Sequence, residues 1–109
     1  MYAASGFGAY SRRRYITVKF FAYFRDPAYA GCKETEWPQK AATVLELCRQ
    51  IADAYGDKFR QELLTPDGNG ISERSIIMVN GRRIEFLEGT DTPLKDTDTV
   101  LVFPVVAGG

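Results

Sequence analysis

Period-two alternation marks the first ordered stretch of the chain. In YITVKFFAYF (15–24), Ile16, Val18, Phe20 and Ala22 share one face, and Thr17, Lys19, Phe21 and Tyr23 share the other, as in a half-buried strand. Arg25-Asp26-Pro27 and Ala30-Gly31 supply a loop. Lys33 to Trp37 then alternates again, short and charged, and is closed by Pro38, which suits a second strand at a sheet edge. The period next changes to that of a helix. Thr43-Val44-Leu45-Glu46 is a capping-box signature, followed by a stripe of Val44, Leu47, Cys48, Ile51 and Tyr55 and by a terminating Gly56. Phe59, Leu63 and Leu64 predict a further helical turn or two before the loop Thr65–Gly70.

The second half reads as strands again. Ser75 to Val79 is apolar and β-branched, Asn80-Gly81 is a type I′ hairpin signal, and Arg82-Arg83-Ile84 begins the return. A turn-rich crossing, residues 88–98, leads to a last strand at Val100–Phe103. That strand is among the most apolar, so it belongs near the middle of the sheet, beside the first. The predicted architecture is α+β: a mixed sheet of about five strands with one main helix on one face, the β-grasp arrangement. One domain spans 15–109. Residues 1–14, MYAASGFGAYSRRR, show no periodicity and read as a disordered arm or a cloning remnant, or as a basic anchor through Arg12, Arg13 and Arg14.

Composition narrows the function. Fourteen basic and fourteen acidic residues cancel, leaving no electrostatic footprint for nucleic acid or an anionic membrane. No apolar run approaches a membrane span, and the cytoplasm is the expected location. Cys32 and Cys48 are too few for a metal cage, an iron–sulfur cluster or a disulfide scaffold. Cys48 lies on the apolar stripe as a core residue, and Cys32 is a loop bystander. The chain has no histidine, which removes Ser-His and Cys-His nucleophile pairs and the commonest general base. No carboxylate, lysine or tyrosine pair replaces them, so the pattern suits a substrate or a non-catalytic subunit.

The tail carries the candidate chemistry. From the last strand the chain runs through Pro104, Val105, Val106 and Ala107 to Gly108-Gly109. A glycine pair enters a narrow channel and adopts backbone angles closed to other residues. The Gly109 α-carboxylate is ionised at neutral pH and is suited to attack the α-phosphate of ATP, becoming an acyl adenylate. If Ile16, Val18, Phe20, Ile77, Val79, Val100 and Val102 face the helix, then Phe21, Met78, Leu101 and Phe103 form an apolar patch at the tail's root. Such a patch marks a protein interface.

Residues 15–109 resemble the ubiquitin-like sulfur carriers, most closely the small subunit of molybdopterin synthase. The resemblance rests on VKFFAYFRD in the first strand, VNGRRI at the hairpin, DTPLKDTD in the crossing and FPVVAGG at the tail. One departure is Val105, where that family commonly has a second proline. The resemblance implies that a partner enzyme adenylates Gly109 with ATP and magnesium, none of it bound by this chain. A persulfide sulfur donor then converts Gly109 to a thiocarboxylate. The molybdopterin synthase large subunit receives the tail, and the sulfur passes to a cyclic pyranopterin that will hold molybdenum or tungsten. Three alternatives stay open: a sulfur carrier for thiazole or thiolated tRNA, a modifier conjugated to lysines, and a passive interaction module.

Overall fold

A computed structural model describes residues 15–38 and 41–106. The expectations for residues 1–14 and for Ala107, Gly108 and Gly109 fall outside these. Five strands form one sheet: β1 (Tyr15–Phe20), β2 (Glu34–Pro38), β3 (Ser75–Val79), β4 (Arg82–Arg83) and β5 (Thr99–Pro104). Their spatial order is β2-β1-β5-β3-β4. β5 lies parallel to β1 and antiparallel to β3, and the two outer pairs are antiparallel hairpins. The last strand is therefore central, as its apolar run from Val100 to Pro104 favours, and the sheet is mixed.

One face of the sheet is covered by α1 (Val44–Tyr55) and α2 (Asp57–Leu63). The N-terminus of α1 is capped from two directions. Thr43 Oγ1 accepts the Glu46 N–H at 3.3 Å, and the Glu46 carboxylate accepts the Ala42 N–H at 2.8 Å. The crossing also reaches this end: Thr92 O accepts the Val44 N–H, and the Leu94 N–H is donated to Ala42 O. Orphan donors of the first turn are thus partnered by the segment that leads into β5. Val44, Leu47, Cys48 and Ile51 are fully buried against Ile16, Val18, Phe20, Val100 and Val102. Thr17 and Lys19 on β1 stay half-buried on the opposite face, so the alternation is realised as two faces.

Two local features, the turn at Ala22 and the shortness of β4, depart from the sequence reading. β1 ends at Phe20, and Ala22 is not a core strand residue; it is exposed with φ 51° and opens a 3-10 turn over Ala22–Arg25. That turn swings Phe24 into the core. The second helical segment is a seven-residue helix whose buried Phe59 meets Phe20, Phe24, Tyr29 and Tyr55 at ring-centroid distances of 4.6–5.9 Å. The helical turn or two expected after the main helix is therefore a short second helix on the same face of the sheet. The return strand β4 is only two residues long, and Ile84 turns inward at the head of a 3-10 segment (Ile84–Phe86). Its hairpin is as predicted, with Asn80 at φ 52° and Gly81 at φ 86°, the positive pair that a type I′ turn needs.

Candidate functional site

The candidate site is the end of the sheet from which β5 leaves. β5 sits between β1 and β3, so its register with both strands determines what surrounds its exit. Leu101 is opposite Lys19 on β1 and Met78 on β3, and Met78 is in turn opposite Arg83 on β4. One step further on, Phe103 is opposite Ile76, and its ring stacks on Phe21 with centroids 4.2 Å apart and planes 10° from parallel. Directly paired residues point to the same side of a sheet. Phe21, Met78, Leu101 and Phe103 therefore share the face turned away from the helices, and all four are half-buried. Ile76 joins them. The sequence reading does not name it, although its place between inward Ser75 and Ile77 is the signal for it.

Cations rim this apolar surface. The Arg25 guanidinium lies 5.2 Å from the Phe21 ring centroid, and its Nε–H is donated to Phe20 O at 2.7 Å. A guanidinium over a ring face is held by the ring's quadrupole. Arg83, beside Met78, donates to Glu85 at 2.8 Å; this hydrogen bond raises the Arg83 pKa and lowers that of Glu85. Lys19 and Arg25 have no ion pair among the described residues.

Proline and valine at the exit fix where the tail becomes free. On the β1 side the ladder ends with the Phe21 N–H donated to Val102 O at 3.2 Å. The next β5 position facing β1 is Pro104, whose missing N–H costs nothing because β1 has already turned away. On the β3 side the pairing runs one residue longer, since the Val105 N–H is donated to Arg74 O at 2.8 Å. A second proline at 105 would lack that donor. Arg74 is itself held by Ser72, which accepts its N–H, and by Glu62 of α2 at 3.3 Å. Glu62 also accepts the Tyr23 hydroxyl at 3.0 Å, and its backbone oxygen accepts the Ser75 hydroxyl at 2.6 Å. Burial first, and then this carboxylate, raise the Tyr23 pKa. Pro104 is buried, whereas Val105 and Val106 are 46% and 57% exposed, so the fixed root gives way to an exposed backbone within two residues.

Among the described residues no group of His, Cys, Asp or Glu is placed to hold a metal ion. Cys48 is wholly buried, and desolvation pushes its thiol up to about 12, which keeps it protonated and unreactive. Cys32 is half-buried. Phe86, 80% exposed on the 3-10 segment after β4, is a further apolar surface residue, one that no periodicity in the sequence singles out. No helix among the described residues is long and apolar enough to cross a membrane.

Comparison with known proteins bears on the family and the fold. Residues 18–109 match the ThiS family. The chain is 36% identical over 95 residues to small archaeal modifier protein 3 of Haloferax volcanii, covering 86% of this chain and 98% of that one. A solved structure from Pyrococcus furiosus with the provisional name molybdopterin converting factor, subunit 1, is 36% identical, with a TM-score of 0.62 and coverage of 84% and 98%. CysO in the Amycolatopsis orientalis BexX/CysO complex gives 28% identity and a TM-score of 0.69, with coverage of 86% and 99%.

Proposed function

The chain belongs to the ThiS family of ubiquitin-like sulfur carriers and modifiers, and on that premise we propose that it carries sulfur on its own C-terminal carboxylate for molybdopterin synthesis. One observation above all supports this reading. The tail leaves a central strand, is fixed up to Val105 by the bond to Arg74, and is exposed at Val105 and Val106. A root held this firmly presents the last residues in a defined direction, while their small size lets them thread a narrow channel.

The chemistry then proceeds on partners. An ATP-dependent activating enzyme, using magnesium, joins the Gly109 carboxylate to the α-phosphate of ATP with loss of pyrophosphate. A persulfide sulfur displaces AMP from the acyl carbon, and cleavage of the S–S bond by a thiol leaves a thiocarboxylate. Activation matters because a carboxylate is a poor acyl donor, whereas the adenylate has a good leaving group. The thiocarboxylate is in turn a good sulfur nucleophile, delivered into the large subunit of the synthase and onto a cyclic pyranopterin. Phe21, Met78, Leu101 and Phe103 provide the surface on which both partners dock, with Pro104 to Gly109 running on into each active site.

A second reading keeps the activation and changes the acceptor to a lysine amine, as in a ubiquitin-like modifier. The 36% identity to small archaeal modifier protein 3 favours it over a carrier for thiazole or thiolated tRNA and over a passive interaction module. Intact mass of the protein isolated from its own cells tests both the carrier and the modifier. A C-terminus with one oxygen replaced by sulfur is the expected result. A lysine-linked ladder with no such species would replace the carrier reading by the modifier reading.

A further inference from the structure

The last turn of α2 carries a carboxylate that the helix itself does not call for. Glu62 stands three residues after buried Phe59 and one before buried Leu63, and its side chain is only 18% exposed. The C-terminal end of a helix favours cations, so Glu62 gains nothing from its own helix and depends on partners from elsewhere. The cations of α2 are engaged with other groups. Lys58 lies over the Tyr29 ring, and Arg60 pairs with Asp53 and Asp57.

Glu62 reaches two separate segments. One carboxylate oxygen accepts the Tyr23 hydroxyl at 3.0 Å, from the turn that follows β1. The other accepts from Arg74 at 3.3 Å, and the Glu62 backbone oxygen accepts the Ser75 hydroxyl at 2.6 Å. Arg74 and Ser75 flank a single peptide unit, and its carbonyl is the one that accepts the Val105 N–H at 2.8 Å. The peptide that holds the tail's root is thus held from both sides by one residue of α2. Tyr23 brings in the other side of the exit, since it follows Phe21, whose ring is stacked on Phe103. The chain after β1 and the chain before β3 are therefore tied to the same residue.

We infer that Glu62 is a positioning residue for the tail. It holds the Arg74–Ser75 peptide in place, and through that peptide it sets the direction in which the chain leaves the sheet at Val105. The consequence for adenylation and sulfur transfer rests on the function proposed above, but the control of Val105 does not.

The first measurement uses the full chain alone. Amide hydrogen exchange, followed by NMR, compares Val105 with Phe21, whose N–H is donated to Val102 O inside the sheet. Glu62→Gln keeps the size of the side chain and removes its charge. Arg74→Ala breaks the same ion pair from the other side, at a side chain 66% exposed, so folding does not depend on it. Each variant should speed hydrogen exchange at Val105 about tenfold, as the loss of one charge-assisted hydrogen bond does to a local opening, and leave Phe21 within about twofold of the wild type. Because both changes break one contact, the double variant should match the single ones. Unchanged hydrogen exchange at Val105 in both single variants would overturn the inference. Equal acceleration at Phe21 would also overturn it, by making Glu62 a general support of the fold.

The second measurement adds the activating enzyme. A wrongly aimed tail still docks through the patch, so Glu62→Gln should lower kcat for pyrophosphate exchange about tenfold and leave KM for the carrier unchanged. A loss of stability alone reduces the amount of folded carrier, which raises KM and leaves kcat where it was. That outcome, or unaltered kinetics, would refute the positioning role. A wild-type chain that supports no pyrophosphate exchange at all counts against the function proposed above, and the Val105 amide then decides the role of Glu62 by itself.

Discussion

At the residue scale, the burial of Cys48 separates a structural thiol from a chemical one. The ordinary value for such a thiol is 9.0, and full desolvation takes it to about 12. A thiol reagent at pH 8 should therefore label Cys32 and leave Cys48 unmodified until the protein unfolds, as peptide mass mapping would show. Cys32→Ser should leave sulfur transfer intact. The same shift gives a pH dependence with a definite sign. Between about pH 9 and 12 the unfolded chain has lost a proton that the folded chain keeps, so stability is complete below that window and falls as pH rises through it. The slope from one such group is about 1.4 kcal/mol per pH unit, and Cys48→Ala should remove it from urea titrations in alkali. Phe103, stacked on Phe21, is the residue through which docking is best examined. Phe103→Asp, still folded by circular dichroism, should weaken binding to the activating enzyme and to the synthase large subunit by about 1.4 kcal/mol, tenfold in affinity. Unchanged affinity for both would remove the patch from the proposal and leave the tail chemistry standing.

At the scale of elements, the cap of α1 is legible in four letters. Thr43→Ala should cost about 1 kcal/mol in urea unfolding, because it leaves the Glu46 N–H without its acceptor while the crossing's bonds to Ala42 and Val44 persist. The strands are equally legible where alternation is strict, as in Ile16, Val18 and Phe20. What escapes the sequence is set by distant partners. The end of β1 depends on Ala22 taking a positive φ, which nothing about alanine announces. The helical turn at Phe59 is legible, but the four aromatic rings that hold so short a helix in place come from distant segments. The anchoring of Val105 by Arg74 needs the register of two strands about thirty residues apart, which local pattern does not contain.

At the scale of the whole molecule, the proposed reacting group at Gly109 follows β5 in the chain by five residues, beyond the last strand at Pro104. Deleting Gly109, or adding a residue after it, should abolish pyrophosphate exchange into ATP by the activating enzyme while leaving the melting temperature nearly unchanged. An extended protein that still supported exchange would refute the role of the terminal carboxylate. The parallel pairing of β1 with β5 has a further, mechanical consequence. Force applied between the two ends of the domain pulls Tyr15 one way and Pro104 the other, along neighbouring strands whose bonds must then slide together. Such a ladder is loaded in shear, so its bonds share the load instead of peeling apart in succession. A machine that threads this protein from its tail must break the β5 ladders with β1 and β3, whereas a pull across the β3–β4 hairpin would meet only two residue pairs.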